Sequence, residues 1–235
     1  MDSLLQPNLI SSKIPLPNYL EETYWWAYIH PKGVRFFERQ WLVNLILWGN
    51  FARLRDAAIS ELGQPITGKT LQVACVYGDF SCKLVSHMAA DATLDVADVA
   101  PVQLENLLRK MQGVSNLFLH HEDSTRLSFQ DEAFDQVVVF FLLHEQPTEA
   151  RIRTIREALR VTKKGGKTVF VDYHRPSWIN PFRYIMFPIL GLLEPFAMDM
   201  WHHEITDWLD PNVPVGRVEK ETYFGGLYQK VVFYH

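Results

Sequence analysis

The chain has 235 residues and a formal net charge of −4, from 23 basic and 27 acidic residues. This length suits one α/β domain with additions, and the absence of a basic stripe or a Lys/Arg-rich run argues against nucleic acid as a partner. Hydrophobic residues make up 48% of the chain and aromatic residues 13%, with seven tryptophans, which indicates an apolar ligand or a membrane surface in addition to a core.

Residues 1–18 are predicted to form a surface tail. They lack both the apolar stretch of a signal peptide and the Arg-rich pattern of an organelle presequence. The two cysteines, Cys75 and Cys82, have no CxxC spacing and indicate a reducing compartment. We therefore expect a cytoplasmic protein without a signal or transit peptide.

Residues 19–62 are rich in aromatic and basic side chains and are predicted to be helical, ending at Gly63 and Pro65. From residue 70 to 173, apolar runs alternate with helical patterns. Strands are predicted at 70–76, 93–99, 116–120, 134–143 and 167–173, and helices at 82–90, 102–111 and 148–161. Such alternation predicts an α/β fold: a mostly parallel, Rossmann-like sheet with helices on both faces.

The last part of the chain holds an apolar insertion at 175–209, interrupted by prolines, and a predicted strand pair within 217–235. The apolar stretch 182–193 is shorter than the ~20 residues that a membrane-spanning helix needs. We expect a single domain over 1–235, in which 70–173 is the cofactor-binding core.

Polar side chains follow each predicted strand, and in a doubly wound sheet the ligand crevice lies at these carboxyl ends. Any one of them could be a helix cap or a solvated loop residue. Their recurrence after five strands favours a binding site. They are Tyr77 to Asp79, Asp98, His120 to Asp123, His144 with Glu145, and Asp172 to His174.

Residues 70–173 resemble the S-adenosylmethionine-dependent methyltransferases of the Rossmann-like class. The resemblance is carried by LQVACVYGDFS, LDVADVAPVQLENLLRK, EDSTRLSFQDEAFDQVVV and IREALRVTKKGGKTVFVDY. It implies that Asp98 binds the ribose hydroxyls and that Asp123 and Ser124 face the adenine. The full set of expected cofactor-binding residues is Ala74, Val76, Tyr77, Gly78, Asp98, Val99, Asp123, Ser124 and Phe140.

The first of these motifs departs from the class. Gln72 replaces an acid, Ala74 and Val76 replace two glycines, and Tyr77 precedes the one remaining glycine, Gly78. Glycines there allow the backbone to approach the amino-acid end of the cofactor, so the departures predict an altered amine half of the site. Loss of the acid also makes the amine easier to deprotonate. This motif alone does not exclude ordinary methyl transfer, in which another loop compensates for the missing acid and glycines.

Over nearly all of the chain from residue 24, the sequence resembles the rhodoquinone biosynthesis family. The specific segments are YWWAYIHPKGVRFFERQWLVNLILWGNFARLRDAA, VACVYGD, DVAPVQLENL and FFLLHEQP. This resemblance implies that S-adenosylmethionine donates an amino group, that ubiquinone is converted to rhodoquinone by replacing a ring methoxy group, and that a divalent metal, expected to be manganese, assists.

The chemistry requires an amine to be positioned and deprotonated and a quinone oxygen to be polarised. The candidate catalytic residues are Tyr77, Asp79 and His144. The candidate metal ligands are His144, Glu145, Asp172 and His174, since hard divalent cations prefer carboxylates with some imidazole. Hydrogen-bonded packing is the alternative for either histidine, and residues 202–204 are a second choice of metal site.

The aromatic residues between 25 and 48 and the apolar stretch 182–193 are predicted to cover the quinone and to contact a membrane surface, although core packing competes for each side chain. The expected location is therefore the cytoplasmic face of the inner membrane. A quinone or phenol methyltransferase is the second functional hypothesis, and a quinone carrier without catalysis is the third. The sequence leaves the oligomeric state open.

Overall fold

A seven-stranded sheet forms the centre of the molecule. The computed structural model describes residues 14–210, 213 and 215–235, so most of the predicted tail lies outside the described residues. The strand order is β3-β2-β1-β4-β5-β7-β6. Strands β1 to β5 are parallel, and β7 pairs antiparallel with both β5 and β6. The strands are β1 Lys69–Val73, β2 Thr93–Asp98, β3 Leu117–His121, β4 Phe134–Phe140, β5 Thr162–Tyr173, β6 Val218–Tyr223 and β7 Tyr228–Tyr234.

Helices cover both faces of this sheet, as the alternating pattern predicts. Helix α7 shows why the sequence folds this way, because its buried residues Ala150, Thr154, Ile155, Ala158 and Leu159 recur at helical spacing on one face. The core helices are α4 Phe51–Leu62, α5 Phe80–Ser86, α6 Pro101–Lys110 and α7 Thr148–Arg160.

The region before the sheet consists of several short elements. They are α1 Asn18–Thr23, a π-helix Trp25–Ile29, α2 Pro31–Phe37 and α3 Gln40–Ile46. Helix α2 begins where the His30 ring accepts a hydrogen bond from Lys32 N at 3.2 Å, with Pro31 in the first turn. A Cβ on Gly33 would meet Trp26 O at 1.8 Å, so only glycine lets α2 pack this closely on the π-helix. We call residues 18–46 the cap.

Two strands end earlier than predicted. Ala74 has φ 69° and Phe141 has φ 54°, both in the left-handed region that non-glycine residues rarely adopt. These residues turn the chain away from the sheet, so that β1 and β4 each end three residues before the predicted ends. The polar residues that follow are thereby carried over the edge of the sheet.

The insertion contains α8 Phe182–Leu193, α9 Asp199–His202 and a 3₁₀ turn Ile205–Trp208. Helix α8 buries Met186 and Leu190. It packs on the end of the cap region through Trp48, whose Nε1 lies 3.0 Å from Met186 Sδ. Among the described residues, no helix is long and apolar enough to cross a membrane.

Candidate active site

A cavity of about 190 Å³ lies at the carboxyl ends of β1, β2 and β4, where ~10–15 Å³ suffices for one water molecule. Residues of the cap, including Tyr19, Tyr24 and Tyr28, lie over it, and Glu194 closes it from the insertion. The cavity is therefore large enough for a small molecule and is enclosed by three separate parts of the chain.

Asp98 occupies the end of β2 and is 8% exposed. Its Oδ2 accepts a hydrogen bond from Cys75 N at 2.7 Å, and its Oδ1 accepts one from Ala100 N at 2.7 Å. Burial raises the pKa of Asp98, while these two bonds oppose the shift. A carboxylate has about four lone-pair positions, so each oxygen keeps capacity for a ligand hydroxyl.

The other residues expected at the adenosine half also reach the cavity. Ser124 Oγ lies 2.9 Å from Thr154 Oγ1 and accepts from Gln146 Nε2 at 3.0 Å. Asp123 Oδ1 accepts from Thr125 N at 2.8 Å. The structure thus brings together, around one cavity, the predicted residues Ala74, Val76, Tyr77, Asp98, Val99, Asp123, Ser124 and Phe140.

Tyr77, a predicted catalytic residue in the loop after β1, makes its hydrogen bonds and its ring contact within the protein. The Tyr77 hydroxyl donates to Ala27 O at 2.6 Å and accepts from Gln103 Nε2 at 2.7 Å. Its ring stacks on Tyr28, with centroids 5.5 Å apart. Both the ring and the hydroxyl therefore hold the cap against the sheet.

Gln72, which stands in place of an acid, is completely buried beneath this loop. Its amide donates to Ala74 O at 2.9 Å and accepts from Ser81 Oγ at 2.8 Å. Gly78 has φ 78° and lies against Gln40 outside the cavity lining. Of the predicted cofactor-binding residues, Gly78 therefore does not line this cavity, and Gln72 supports the loop after β1 from below.

Asp79 does not reach the cavity lining. Its two carboxylate oxygens accept from Arg55 Nη1 at 2.7 and 2.6 Å. This ion pair points toward α4, since Asp79 precedes the first turn of α5. A role for Asp79 in deprotonating an amine stays a prediction, and in this structure its carboxylate is engaged by Arg55 outside the cavity lining.

His144 lines the cavity and lies on Asp172. His144 Nδ1 is 2.9 Å from Asp172 Oδ1. Burial opposes the imidazolium charge, but Asp172 and the neighbouring Glu145 and Glu194 raise the pKa of His144 to about 9. A histidine oriented by a buried carboxylate is a common arrangement for proton transfer.

Glu145 and Glu194 bring two more carboxyl groups to this end of the cavity. Glu145 accepts a hydrogen bond from the Tyr28 hydroxyl, and burial raises the pKa of Glu145 to about 8. Burial likewise raises the pKa of Glu194. The sequence interpretation missed Glu194 and Tyr28, because their only signals are a lone acid after an apolar helix and one tyrosine among many aromatics.

Arg151, also missed, holds the 3₁₀ turn Leu143–Glu145 in place. It is completely buried. Its Nε donates to Leu143 O at 2.8 Å, and its Nη2 donates to Gln146 O at 2.8 Å and Phe196 O at 2.9 Å. One guanidinium therefore fixes both the turn that carries His144 and the segment that follows Glu194.

The four predicted metal ligands do not converge. Asp172 is engaged on both oxygens, because Oδ2 accepts from Leu143 N at 2.9 Å and His144 N at 3.3 Å, while Oδ1 accepts from Tyr173 N at 2.7 Å and lies 2.9 Å from His144 Nδ1. His174 turns toward the surface, where its Nε2 lies 2.8 Å from Lys220 Nζ and 3.3 Å from Glu204 Oε1. In the part of the chain that the structure describes, no three His, Cys, Asp or Glu residues are arranged to hold a metal ion.

Residues 70–166 match a family model described as a methyltransferase domain. The chain is 28% identical over 175 residues to a demethylmenaquinone methyltransferase of Staphylococcus saprophyticus, covering 72% of each protein. It is 27% identical to the corresponding protein of Staphylococcus aureus strain MRSA252, covering 72% of this chain and 69% of the relative.

Solved structures share the fold. A SAM-dependent methyltransferase from Aquifex aeolicus aligns with a TM-score of 0.52 and 15% identity, over 87% of this chain and 98% of that one. The N-methyltransferase NodS from Bradyrhizobium japonicum aligns with a TM-score of 0.54 and 16% identity, over 77% and 92%. The predicted fold class is confirmed: the chain has a mostly parallel sheet with flanking helices that matches the Rossmann-like fold of these S-adenosylmethionine-dependent methyltransferases.

Proposed function

We propose that this protein transfers a group from S-adenosylmethionine to a lipid quinone, and that the group is an amine which replaces a ring methoxy substituent of ubiquinone. The cavity supports a nucleoside cofactor, because Asp98, Asp123 and Ser124 line it at the strand ends. The demethylmenaquinone methyltransferases among the relatives support a quinone substrate. The segments that resemble the rhodoquinone biosynthesis family support amino transfer.

The observation that carries amino transfer is the rebuilt loop after β1. Tyr77 is hydrogen-bonded to Ala27 and Gln103, and Gln72 is hydrogen-bonded to Ser81 and Ala74. Neither side chain is an anion for the cofactor amine. The adenosine half is meanwhile lined as the class predicts, so the change falls on the part of the cofactor that carries the nitrogen.

When bound, S-adenosylmethionine supplies this nitrogen. A carbon–nitrogen bond forms at the quinone ring, the bond from the ring to the methoxy oxygen breaks, and that oxygen takes the proton that the amine gives up and leaves as methanol. The bond between this nitrogen and the cofactor Cα then has to break, with water supplying the hydroxyl that replaces nitrogen on Cα and the hydrogen that nitrogen gains. His144, oriented by Asp172 at 2.9 Å, is our candidate for moving the proton from the amine to the methoxy oxygen. The aromatic side chains of Phe141, Tyr173 and Tyr28 line the same end of the cavity and exclude water from the ring.

The residues predicted to bind manganese do not form a ligand set in this structure. Asp172 and His174 are engaged elsewhere. We therefore derive no step through a metal ion, and the ligands of such an ion stay a prediction.

Methyl transfer to a quinone ring is the second candidate. It is favoured by the 28% identity to demethylmenaquinone methyltransferase over 175 residues. The same cofactor, cavity and substrate class serve both reactions, and only the transferred group differs.

Product mass separates the two candidates. We expect incubation with a short-chain ubiquinone and S-adenosylmethionine, with and without manganese, to give a quinone that has lost a methoxy group and gained an amine. Cofactor labelled with heavy nitrogen at its amine should pass the label to the product. A product carrying an added methyl group and no heavy nitrogen would overturn amino transfer, and incubation with a demethylated quinone provides the matched assay for methylation.

A further inference from the structure

The end of the cavity that holds Glu145 and Glu194 has two carboxyl groups, and burial raises the pKa of both, so a cationic ligand group would favour their charged forms. Five acids line the cavity: Asp98, Glu122, Asp123, Glu145 and Glu194. Among the lining residues that the structure describes, His144 is the one basic side chain, and it lies on Asp172. A buried carboxylate without a counter-ion is costly, so a cationic ligand group is favoured there.

Glu194 and Tyr24 have unused hydrogen-bonding capacity at this end. The Tyr24 side chain is 1% exposed. Its hydroxyl and Glu194 Oε2 are both buried without a hydrogen-bond partner of regular geometry. Both residues line the same cavity, and they interact: burial raises the pKa of Tyr24, the charge of Glu194 adds to that rise, and Tyr24 in turn opposes the rise in the pKa of Glu194. Glu145 differs, because the Tyr28 hydroxyl already donates to it.

We propose that Glu194, together with the Tyr24 hydroxyl, binds the cationic amine of the nucleoside cofactor in place of the acid that the loop after β1 lacks. An ammonium group has three donors and suits two buried acceptors. The adenosine half is fixed at the other end of the cavity by Asp98 and Asp123. This inference rests on the proposed use of S-adenosylmethionine. If the transferred group is the amine, the Glu194 carboxylate must also take up the proton that the ammonium gives up, because an amine held as its cation is not a nucleophile.

The proposal locates the counter-ion in the insertion rather than in the Rossmann core. Glu194 directly follows α8, and its backbone N donates to Leu190 O at 2.8 Å. The following carbonyl of Phe196 is held by buried Arg151 at 2.9 Å. The carboxylate is therefore presented by a fixed segment of the backbone.

Binding of two ligands tests this assignment without any turnover. S-adenosylhomocysteine carries the adenosine and the amine, whereas 5′-methylthioadenosine carries the adenosine alone. We expect Glu194→Gln to weaken S-adenosylhomocysteine binding about tenfold or more, because charge-assisted hydrogen bonds are the strong ones. Its affinity for 5′-methylthioadenosine, measured by calorimetry, should stay within about twofold of the wild-type value.

Three controls make the result specific. Asp98→Ala should weaken both ligands, and Glu105→Gln, the same change on the exposed face of α6, should affect neither. Tyr24→Phe should weaken the binding of S-adenosylhomocysteine less than Glu194→Gln does.

Equal losses of affinity for both ligands in Glu194→Gln, or no loss for either, would overturn the proposal. A loss for S-adenosylmethionine alone would assign Glu194 to the sulfonium and also overturn it. Failure of amination in the mass experiment leaves this outcome unchanged.

Discussion

Tyr77 and Asp79 are two residues apart in the loop after β1, yet they face different surroundings. Tyr77 lies in the cavity lining and anchors the cap through Ala27 O at 2.6 Å. Asp79 lies outside the lining and pairs with Arg55. Their sequence spacing could not separate these roles, because the left-handed turn at Gly78 sends the two side chains in different directions.

We expect Asp79→Asn to leave turnover within about twofold of the wild-type rate. The substitution removes a charge from a partly exposed ion pair, so it should lower the free energy of unfolding by about 0.5–1 kcal/mol. Initial rates with S-adenosylmethionine and ubiquinone, together with urea unfolding, measure both effects. A loss of ~10²- to 10⁴-fold in turnover would instead identify Asp79 as a general base.

Tyr77→Phe is the companion variant, since it keeps the stacked ring and removes the hydroxyl. Two partners, Ala27 O and the Gln103 amide, then lose a buried hydrogen bond. We expect this variant to be less stable than Asp79→Asn, by about 1–2 kcal/mol relative to the wild type. Stability equal to the wild type would show that the hydroxyl does not hold the cap.

At the scale of elements, the sequence predicted every strand of the sheet and the alternation of strands with helices. It overestimated the lengths of β1 and β4, because nothing in the apolar runs shows that Ala74 and Phe141 adopt left-handed conformations. It also underestimated β5, which starts at Thr162 rather than at residue 167. That Asp98 and Asp123 line the cavity was predictable, since Asp98 ends β2 and Asp123 follows β3 by two residues.

The other half of the site was not predictable in this way. Glu194 follows a helix of the insertion, and Tyr28 belongs to a π-helix of the cap. Neither element has a fixed place relative to the Rossmann core, so only the folded chain shows that both reach the cavity. His174, predicted to be a metal ligand, lies outside the cavity lining, and its Nδ1 is 2.8 Å from Gly226 O in the β6–β7 turn.

Arg151 joins two of these elements, and its substitution tests that connection. Arg151→Lys keeps the charge but cannot reach the carbonyls of Leu143, Gln146 and Phe196 together. We expect a loss of about 2–4 kcal/mol in the free energy of unfolding. Turnover should fall because the His144 turn shifts, while the affinity for 5′-methylthioadenosine, which depends on β2, should be retained.

The comparison of kcat with KM distinguishes positioning from general damage in this variant. A displaced His144 lowers kcat more than it raises KM for the cofactor. If the folded variant turns over at the wild-type rate, the turn does not need Arg151. Arg153→Lys, an exposed change on the same helix, is the matched control.

For the molecule as a whole, the exposed apolar residues cluster on α3 and α8. On α3, Trp41 is 58% and Leu45 61% exposed, and on α8, Phe187 is 59% and Leu192 81% exposed. Trp48 connects the two helices, since its ring centroid lies 4.7 Å from that of Phe182. Exposed patches of this kind mark interaction surfaces, and α3 also lines the cavity through Val43 and Ile46.

We expect this face to bind a lipid surface. Vesicles of phosphatidylcholine and phosphatidylglycerol that contain ubiquinone should co-sediment the wild-type protein. The double substitution Phe187→Ser and Leu192→Ser should reduce the bound fraction about tenfold or more, because two large apolar side chains no longer leave water. Ile152→Ser, at an exposed position on α7, should bind normally. Equal binding by both variants, or none by the wild type, would contradict a membrane role for the face.

The cap and the sheet meet at the cavity, and the Tyr77–Ala27 hydrogen bond joins them directly. A ligand that fills the cavity contacts both parts, so it stabilises the packing of the cap on the sheet for as long as it is bound. Its binding free energy then opposes local opening of the cap, by about 2.7 kcal/mol at a concentration one hundred times its dissociation constant. Cap opening and ligand release become a single event, and the cofactor concentration sets how often amides of the cap exchange with solvent.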